Sequence, residues 1–297
     1  MTALARHVRS AFSRGVGYER TPPGAYIDPA GVRGYYLDFS AKTTSHSAAD
    51  PSRLLPAGLA QLALGYWERG LAGEADAHAR FRDTCDLLAG SADEDGEALV
   101  WLYRIEDRKY HVPPPTISSL SQAQAASVLV RRHLLDGDPL HAELARRAAW
   151  PLLQDAAPSV VARLAAGPAL EESPSDPPSL ILNGWIYALW GLRDLALGLG
   201  HGEAAEMLQE STDCLTRALP RYDGGWWSRY SLYPHRLPDL AKLFYHRLHI
   251  DQLEVMYLLT SNEAFRATAE RWRRYDTAVH RIRLVVQKAR FVGSGYR

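Results

Sequence analysis

The sequence predicts a mainly α-helical protein, an α/α toroid of about four helical hairpins with a few short N-terminal β-strands. The first helix of each hairpin begins near residues 56, 119, 180 and 243, a spacing of roughly 60 residues with negligible identity between units. Turn-forming residues split every unit into two helical stretches: Gly70 to Gly73, Asp136 to Pro139, Gly200 to Gly202, and Ser261 with Asn262. Hydrophobic residues make up 46% of the chain, so enough apolar side chains exist to bury one face of every helix. In such a toroid the inner helices and their connecting loops line one open cavity.

In chain order, residues 1–55 read as an N-terminal arm that packs on a catalytic toroid domain, residues 56–297. Arg6 and Arg9 lie at helical spacing, with Arg14 further on. This basic start fits a short surface helix, or a weak contact with an anionic membrane or a partner glycosyltransferase. It holds no apolar run of signal-peptide length, and no stretch reads as a transmembrane segment. Breakers at Pro22, Pro23, Pro29 and Gly31 frame two short extended pieces, 25–27 and 34–39.

From Pro56 the apolar residues Leu59, Leu62, Ala63, Tyr66 and Trp67 share one helical face, and Ala77, Phe81, Cys85 and Leu88 share the next. Ala98 to Val112 reads as an extended hairpin with a polar tip at Glu106 to Lys109. Helices are expected over 119–135 and 139–153, over 179–197 and 202–219, and over 241–259 and 262–286.

Lys and Arg total 34, and so do Asp and Glu, so no basic surplus points to nucleic acid. Cys85 and Cys214 are the only cysteines and fall in helical pattern, which suits buried thiols in a reducing, cytoplasmic compartment. No Gly-rich dinucleotide fingerprint and no P-loop is present.

The stretch from Tyr222 to Leu253 concentrates four of the fifteen Tyr and three of the eleven His, together with Trp226 and Trp227. Aromatic clusters are more often packing than chemistry. Here, however, Tyr245, His249 and Gln252 fall at i, i+4 and i+7 beside a more apolar face of His246, Ile250, Leu253 and Tyr257. A polar stripe next to a buried one suits a helix that lines a cleft. His246 and His249 lack a third ligand at helical spacing, so no metal site is expected.

Three ordered blocks carry a family resemblance. Tyr230-Ser231-Leu232-Tyr233, followed by Leu240-Ala241, Tyr245-His246, His249-Ile250 and Gln252-Leu253, resembles the signature of the D-glucuronyl C5-epimerase C-terminal domain. So does Leu182-Asn183-Gly184-Trp185-Ile186-Tyr187 with Gly191 and Asp194, and so does Ser118 to Leu129 with its Gln122 and Gln124. Together they cover roughly residues 118 to 275, and the chain has the size of a short, bacterial-type member. The resemblance implies the toroid fold, a homodimer, and a uronosyl C5-epimerase, an isomerase acting on a glucuronate-containing polysaccharide or oligosaccharide such as heparosan.

That chemistry removes a proton α to a carboxylate and returns one to the opposite face. It needs a cation on the carboxylate, a base and an acid, and no redox cofactor. By resemblance the catalytic tyrosines map onto Tyr230 and Tyr245, and Glu172 onto the retained acid of a Glu-Glu-Tyr-Pro context that reads Glu171-Glu172-Ser173-Pro174 here. The tyrosine is thus Ser173, and the family's Tyr-Asp-Leu-Arg is Tyr230-Ser231-Leu232-Tyr233. A tyrosine works near neutral pH only if cations lower its pKa from about 10. Arg229, Arg236, Lys242 and Arg247 are near in sequence, with His235 or Arg236 as a substitute for the absent arginine.

The candidates for substrate contact are Arg229, Tyr233, Arg236, His246, Arg247, His249, Asn183 and Gln122. Asn183 serves equally well as a helix N-cap, and Gln122 and Gln124 as polar groups at a helix start. Glu106 is either a solvated hairpin-tip carboxylate or the general acid of a lyase or hydrolase. Two further readings stay open: a polysaccharide lyase that expels the C4 substituent after the same proton abstraction, and an inactive glycan-binding protein of a glycan-assembly pathway.

Overall fold

The computed structural model describes residues 54–294, so the expected N-terminal helix and the extended pieces at 25–27 and 34–39 lie outside the described residues. Four helical hairpins follow one another. The first is α1 (Pro56–Leu71) and α2 (Ala77–Gly90), the second α3 (Ser119–Asp136) and α4 (Pro139–Leu153). The third is α5 (Leu182–Leu199) and α6 (Gly202–Ala218), the fourth α7 (Leu243–Thr260) and α8 (Glu263–Tyr275). Each helix packs on its hairpin partner, and α1, α3, α5 and α7 pack in succession as an inner layer, giving the mainly α toroid that the sequence predicts.

Burial separates the two layers. Helix α5 is buried at every residue from Leu182 to Leu195, as a helix enclosed on all sides must be. Its partner α6 buries one stripe, including Ala204, Met207, Ser211 and Leu215, and shows its other face to solvent. The α3–α5 crossing is close because Gly191 has no side chain; a Cβ there would sit 2.6 Å from the carbonyl oxygen of Ala123. The same crossing encloses an ion pair, Arg131 with Asp194, in which neither side chain meets solvent.

The helix ends follow local chemistry. Gly137 and Gly200 close α3 and α5 in the left-handed region that suits glycine. The expected single helix over 262–286 is corrected: α8 ends at Tyr275 and α9 (Ala278–Gly293) begins anew. The break comes at Asp276, whose ψ of 68° is not helical, and Thr277 caps α9 by accepting from the His280 amide.

The described strands are two tiny antiparallel hairpins inside the helical body, β1 (Asp93–Asp95) with β2 (Ala98–Val100) and β3 (Val161–Leu164) with β4 (Gly167–Leu170). The expected extended hairpin is present with a shifted register. Val100 pairs back to Asp93, and a separate arm begins with the pairings Tyr103 to Thr116 and Asp107 to Val112. The β3–β4 hairpin lies where the sequence reading assigned no element. It matters because β4 leads into Glu171 and Glu172, and the Glu171 carbonyl accepts from Ser119 at the start of α3.

Candidate active site

Four segments converge on one cavity of about 240 Å³: the tip of the 103–116 arm, the Glu171–Ile181 loop, the Tyr222–Lys242 loop running into α7, and α9. Backbone bonds fix the two loops to each other. Leu182 at the start of α5 donates to the Tyr230 carbonyl at 3.1 Å, Tyr230 donates to the Asp239 carbonyl at 2.7 Å, and the amides of Leu232 and Tyr233 reach the Ser179 carbonyl. Buried Glu171 organises the first loop, since its carboxylate accepts from the Ser179 hydroxyl at 2.8 Å and the Leu180 amide at 2.8 Å. The turn expected at Asp223 to Gly225 opens the second, with the Asp223 carboxylate accepting from the Gly225 amide and Gly225 at φ 76°.

Within the cavity Tyr230 and Tyr245 meet edge to face, with ring centroids 4.7 Å apart. Glu172 lies beside them, its carboxylate held by the Asn183 amide nitrogen at 3.0 Å. The Asn183 backbone is held in turn, because its main-chain carbonyl accepts from the Gln252 side chain at 3.0 Å. Glu172 comes this close to α5 only because residue 184 is glycine; a Cβ there would lie 2.3 Å from its Oε2.

Burial pushes the Glu172 carboxyl up to about 7, against the opposing pull of Lys109 and hydrogen bonds from Asn183 and Tyr230. Burial also raises Tyr245 to about 12, with Glu172 adding to the shift and a hydrogen bond from Tyr230 opposing it. Tyr230 is pushed well above its usual range by burial and by Glu172. This corrects the expectation that the neighbouring cations Arg229, Arg236, Lys242 and Arg247 lower the tyrosines. Their surroundings hold both phenols protonated, and the group poised to exchange a proton near neutrality is Glu172.

The cations of the cavity are lysines. Lys109, Lys242 and Lys288 line it. The Lys109 ammonium sits 4.4 Å from the centroid of Tyr230 and 2.5 Å from the Asp239 carboxylate. Lys288 reaches the other oxygen of Asp239 at 3.2 Å.

The sequence matches the family described as D-glucuronyl C5-epimerase C-terminus over residues 94–274. The chain belongs to this family. It is 28% identical over 215 residues to a D-glucuronyl C5-epimerase of Caenorhabditis elegans, an alignment covering 67% of this chain and 35% of that protein. An uncharacterised protein of Methanocaldococcus jannaschii is 26% identical over 180 residues, covering 59% of this chain and 57% of that one. The chain thus spans between about a third and somewhat over half of these relatives. Among solved structures, the cellobiose 2-epimerase of Spirochaeta thermophila has a similar fold, with a TM-score of 0.52 at 13% identity over 74% of this chain and 57% of that one.

Of the site residues expected from the resemblance, Tyr230, Tyr245 and Glu172 come together in the cavity, and Asn183 touches it through Glu172. Asn183 is the second residue of α5 rather than its cap, which is Ile181. Ser173 stands where the family pattern has tyrosine; it is buried and donates to the Asp107 carboxylate at 2.6 Å. Tyr233, at the position of the family arginine, packs edge-on against Tyr110 at 5.4 Å instead of lining the cavity.

The other expected substrate contacts lie elsewhere. Gln122 is fully buried and its side chain bonds to the Leu99 and Ala148 carbonyls and the Trp101 amide, so it joins elements of the core. Gln124 is likewise buried. Arg247 pairs with Asp276 at 2.9 Å, Arg236 is exposed, and Arg229 sits in a short pairing with Leu240; none of the three lines the cavity. His235 is no replacement cation either, because burial against Phe291 and its neighbours depresses its pKa. Glu106 is an exposed tip residue paired with Arg108.

His246 and His249 are core groups. The His246 ring stacks on Trp227 at 3.9 Å. Its Nε2 donates to the Trp272 carbonyl at 3.1 Å and its Nδ1 accepts from the Ser228 hydroxyl at 2.8 Å, which fixes the tautomer. His249 lies behind Tyr230, their centroids 6.4 Å apart. Among the described residues, the potential metal ligands that come together are Cys85, Asp86 and His141, and none of them lines the cavity.

Lys109, Asp239 and Lys288 were missed by sequence reasoning. Lys288 carried a signal, since it shares the buried stripe of α9 with Leu284 and Phe291, where a lysine is out of place without a partner. Lys109 carried none, because the tip Glu106 to Lys109 reads as any solvated turn.

Proposed function

We propose that this cavity is the active site of a uronosyl C5-epimerase acting on a heparosan-like, glucuronate-containing polysaccharide or oligosaccharide. The observation that carries the reading is the linked series Glu172, Tyr230 and Tyr245 on a cavity lined by three lysines. The α-proton of a carboxylate is very weakly acidic, so the lysines supply the positive charge that stabilises the carbanion, and the tyrosines carry protons to and from C5. Glu172 draws the proton from Tyr230 as that phenol accepts the one from C5, and Tyr245, hydrogen-bonded to Tyr230, gives its own proton to the opposite face and recovers one from Glu172 through Tyr230, so neither phenol is left as a phenolate in a site that disfavours it. Family membership supports the choice of C5 over other carbohydrate centres.

The test is proton exchange at C5, followed by NMR in heavy water on glucuronate-containing oligosaccharides. Loss of the C5 signal with formation of iduronate, abolished by Tyr245→Phe, is expected. Loss with an unsaturated product makes the protein a lyase. Binding without any exchange makes it an inactive glycan binder, a reading favoured by Ser173 in the place of the family tyrosine.

A further inference from the structure

Away from the cavity, the outer helices of the first two hairpins bring three unlike side chains together. Cys85 and Asp86 stand on α2, and His141 stands in the first turn of α4. The thiol sulfur, a carboxylate oxygen of Asp86 and a ring nitrogen of His141 all lie within 4.8 Å of one another. Cys85 is fully buried and His141 is 7% exposed, whereas Asp86 reaches solvent. The Nδ1 of His141 is buried and makes no hydrogen bond, since the Asp138 carboxylate stands off at 3.6 Å. A buried imidazole nitrogen left unpaired is costly, so the ring calls for a partner.

The local charge is short of a cation. The charged groups that bear on Cys85 and His141 are the carboxylates of Asp86, Asp136 and Asp138 and the guanidinium of Arg132. Arg132 reaches Asp86 at 3.3 Å and one oxygen of Asp136 at 2.5 Å, and Arg82 takes the other oxygen of Asp136 at 2.8 Å. Three carboxylates therefore face two guanidiniums, which leaves one negative charge unmet. Ionising Cys85 makes it two, the charge that a divalent cation supplies. Burial pushes the thiol up to about 12, so the cation binds by displacing the thiol proton to solvent.

We propose that Cys85, Asp86 and His141 form a site for a divalent transition-metal ion, zinc above all, which clamps α2 to α4. Thiolate, imidazole and carboxylate together suit zinc and disfavour magnesium and calcium, which seek oxygen ligands alone. Tetrahedral zinc, with bonds of about 2.0–2.3 Å, holds its ligand atoms about 3.5 Å apart, so a small turn of the exposed Asp86 closes the three on the ion. The two buried ligands come one from each helix, and water takes the fourth corner on the solvent side. The site stands apart from the epimerase reading, because none of its ligands lines the cavity.

The test is titration of the full chain, stripped of metal by a chelator, with cobalt(II) as an optical probe and with zinc in a melting experiment. A near-ultraviolet sulfur-to-cobalt band is expected, saturating at one ion per chain and erased when zinc displaces the cobalt. Cys85→Ser is expected to lose the band, and Cys214→Ser, which alters the other cysteine, to keep it. His141→Gln is expected to weaken cobalt binding by about tenfold or more while the thiol stays in place. Saturating zinc is expected to raise the melting temperature of the wild type and to leave that of Cys85→Ser unmoved. A wild-type chain without a sulfur-to-cobalt band overturns the site. So does a band that survives Cys85→Ser or disappears with Cys214→Ser. A band with no rise in melting temperature overturns the clamp.

Discussion

The Tyr230 and Tyr245 rings meet edge to face at 4.7 Å although one sits in an irregular loop and the other on α7. The pair is built by the backbone bonds that tie the Tyr230 segment of the loop to Asp239 and to the start of α5. Replacing either tyrosine by phenylalanine keeps the ring contact and removes only the hydroxyl. C5 exchange is expected to fall by about 10²- to 10⁴-fold in each variant, the usual weight of a general acid or base. Melting temperature is expected to stay within a few degrees of wild type, and an unchanged exchange rate in both variants would exclude the tyrosines from the chemistry.

Gly184 gives an independent handle on Glu172. A methyl group at this position lands on the Glu172 side chain, 2.4 Å from its Cβ. Gly184→Ala is therefore expected to drive Glu172 out of contact with Asn183 and Tyr230 and to suppress C5 exchange as strongly as Glu172→Gln does. The stability cost is expected at about 1–3 kcal/mol, the range for overpacking a tight contact. Chemical denaturation alongside the exchange assay separates the two effects.

The pH dependence of exchange follows from two groups of the site. Glu172 must be ionised to take the proton from Tyr230, and burial places its pKa at about 7. In the proposed reaction Lys288 must be charged to stabilise the carbanion, and burial lowers it to about 8 despite Asp239. The rate is expected to rise as pH passes 7 and to fall as it passes 8, a narrow bell. Glu172→Gln is expected to lose the acidic limb and Lys288→Met the alkaline one, each readable in a pH–rate profile.

Folding stability has a different pH dependence. Burial depresses His246 to about 4 and His249 to about 3, from an unfolded value of 6.5. Their contribution is present above pH 6.5 and is lost as pH falls through those values, because the unfolded chain binds the protons first. Glu171 and Glu172, both raised to about 7 from 4.5, act in the opposite sense: their contribution is complete below 4.5 and is lost as pH rises through 7. His249→Leu is expected to lose less stability than wild type between pH 6.5 and 4, by on the order of 2–3 kcal/mol. Urea titrations at the two pH values check this, and equal losses would show that His249 is not buried in its neutral form.

The sequence by itself determined the helices and their order. Apolar spacing at 3.6 residues and breakers such as Gly137, Pro139 and Gly200 are local signals, and local signals survive without a tertiary context. They set the starts of α1 and α3 at the expected residues and those of α5 and α7 within a few residues of the expected 179 and 241. The Tyr230 and Tyr245 motif blocks and Glu172 were legible as well, because motif residues keep their spacing along the chain.

Only the tertiary structure decided which charged and polar groups face the cavity. Arg247 and Arg236 were near Tyr245 and Tyr230 in sequence, yet one turned to Asp276 and the other to solvent. Lys109 and Lys288, distant in sequence, turned inward because Asp239 is buried and its charge had to be met. The polar stripe of α7 misled for the same reason. His249 lies between Tyr230 and Trp272 and Gln252 donates to the Asn183 main-chain carbonyl, since an inner helix of a toroid is enclosed on nearly every side. A pattern along one chain segment records periodicity; it carries no information about the partner that arrives from elsewhere in the fold.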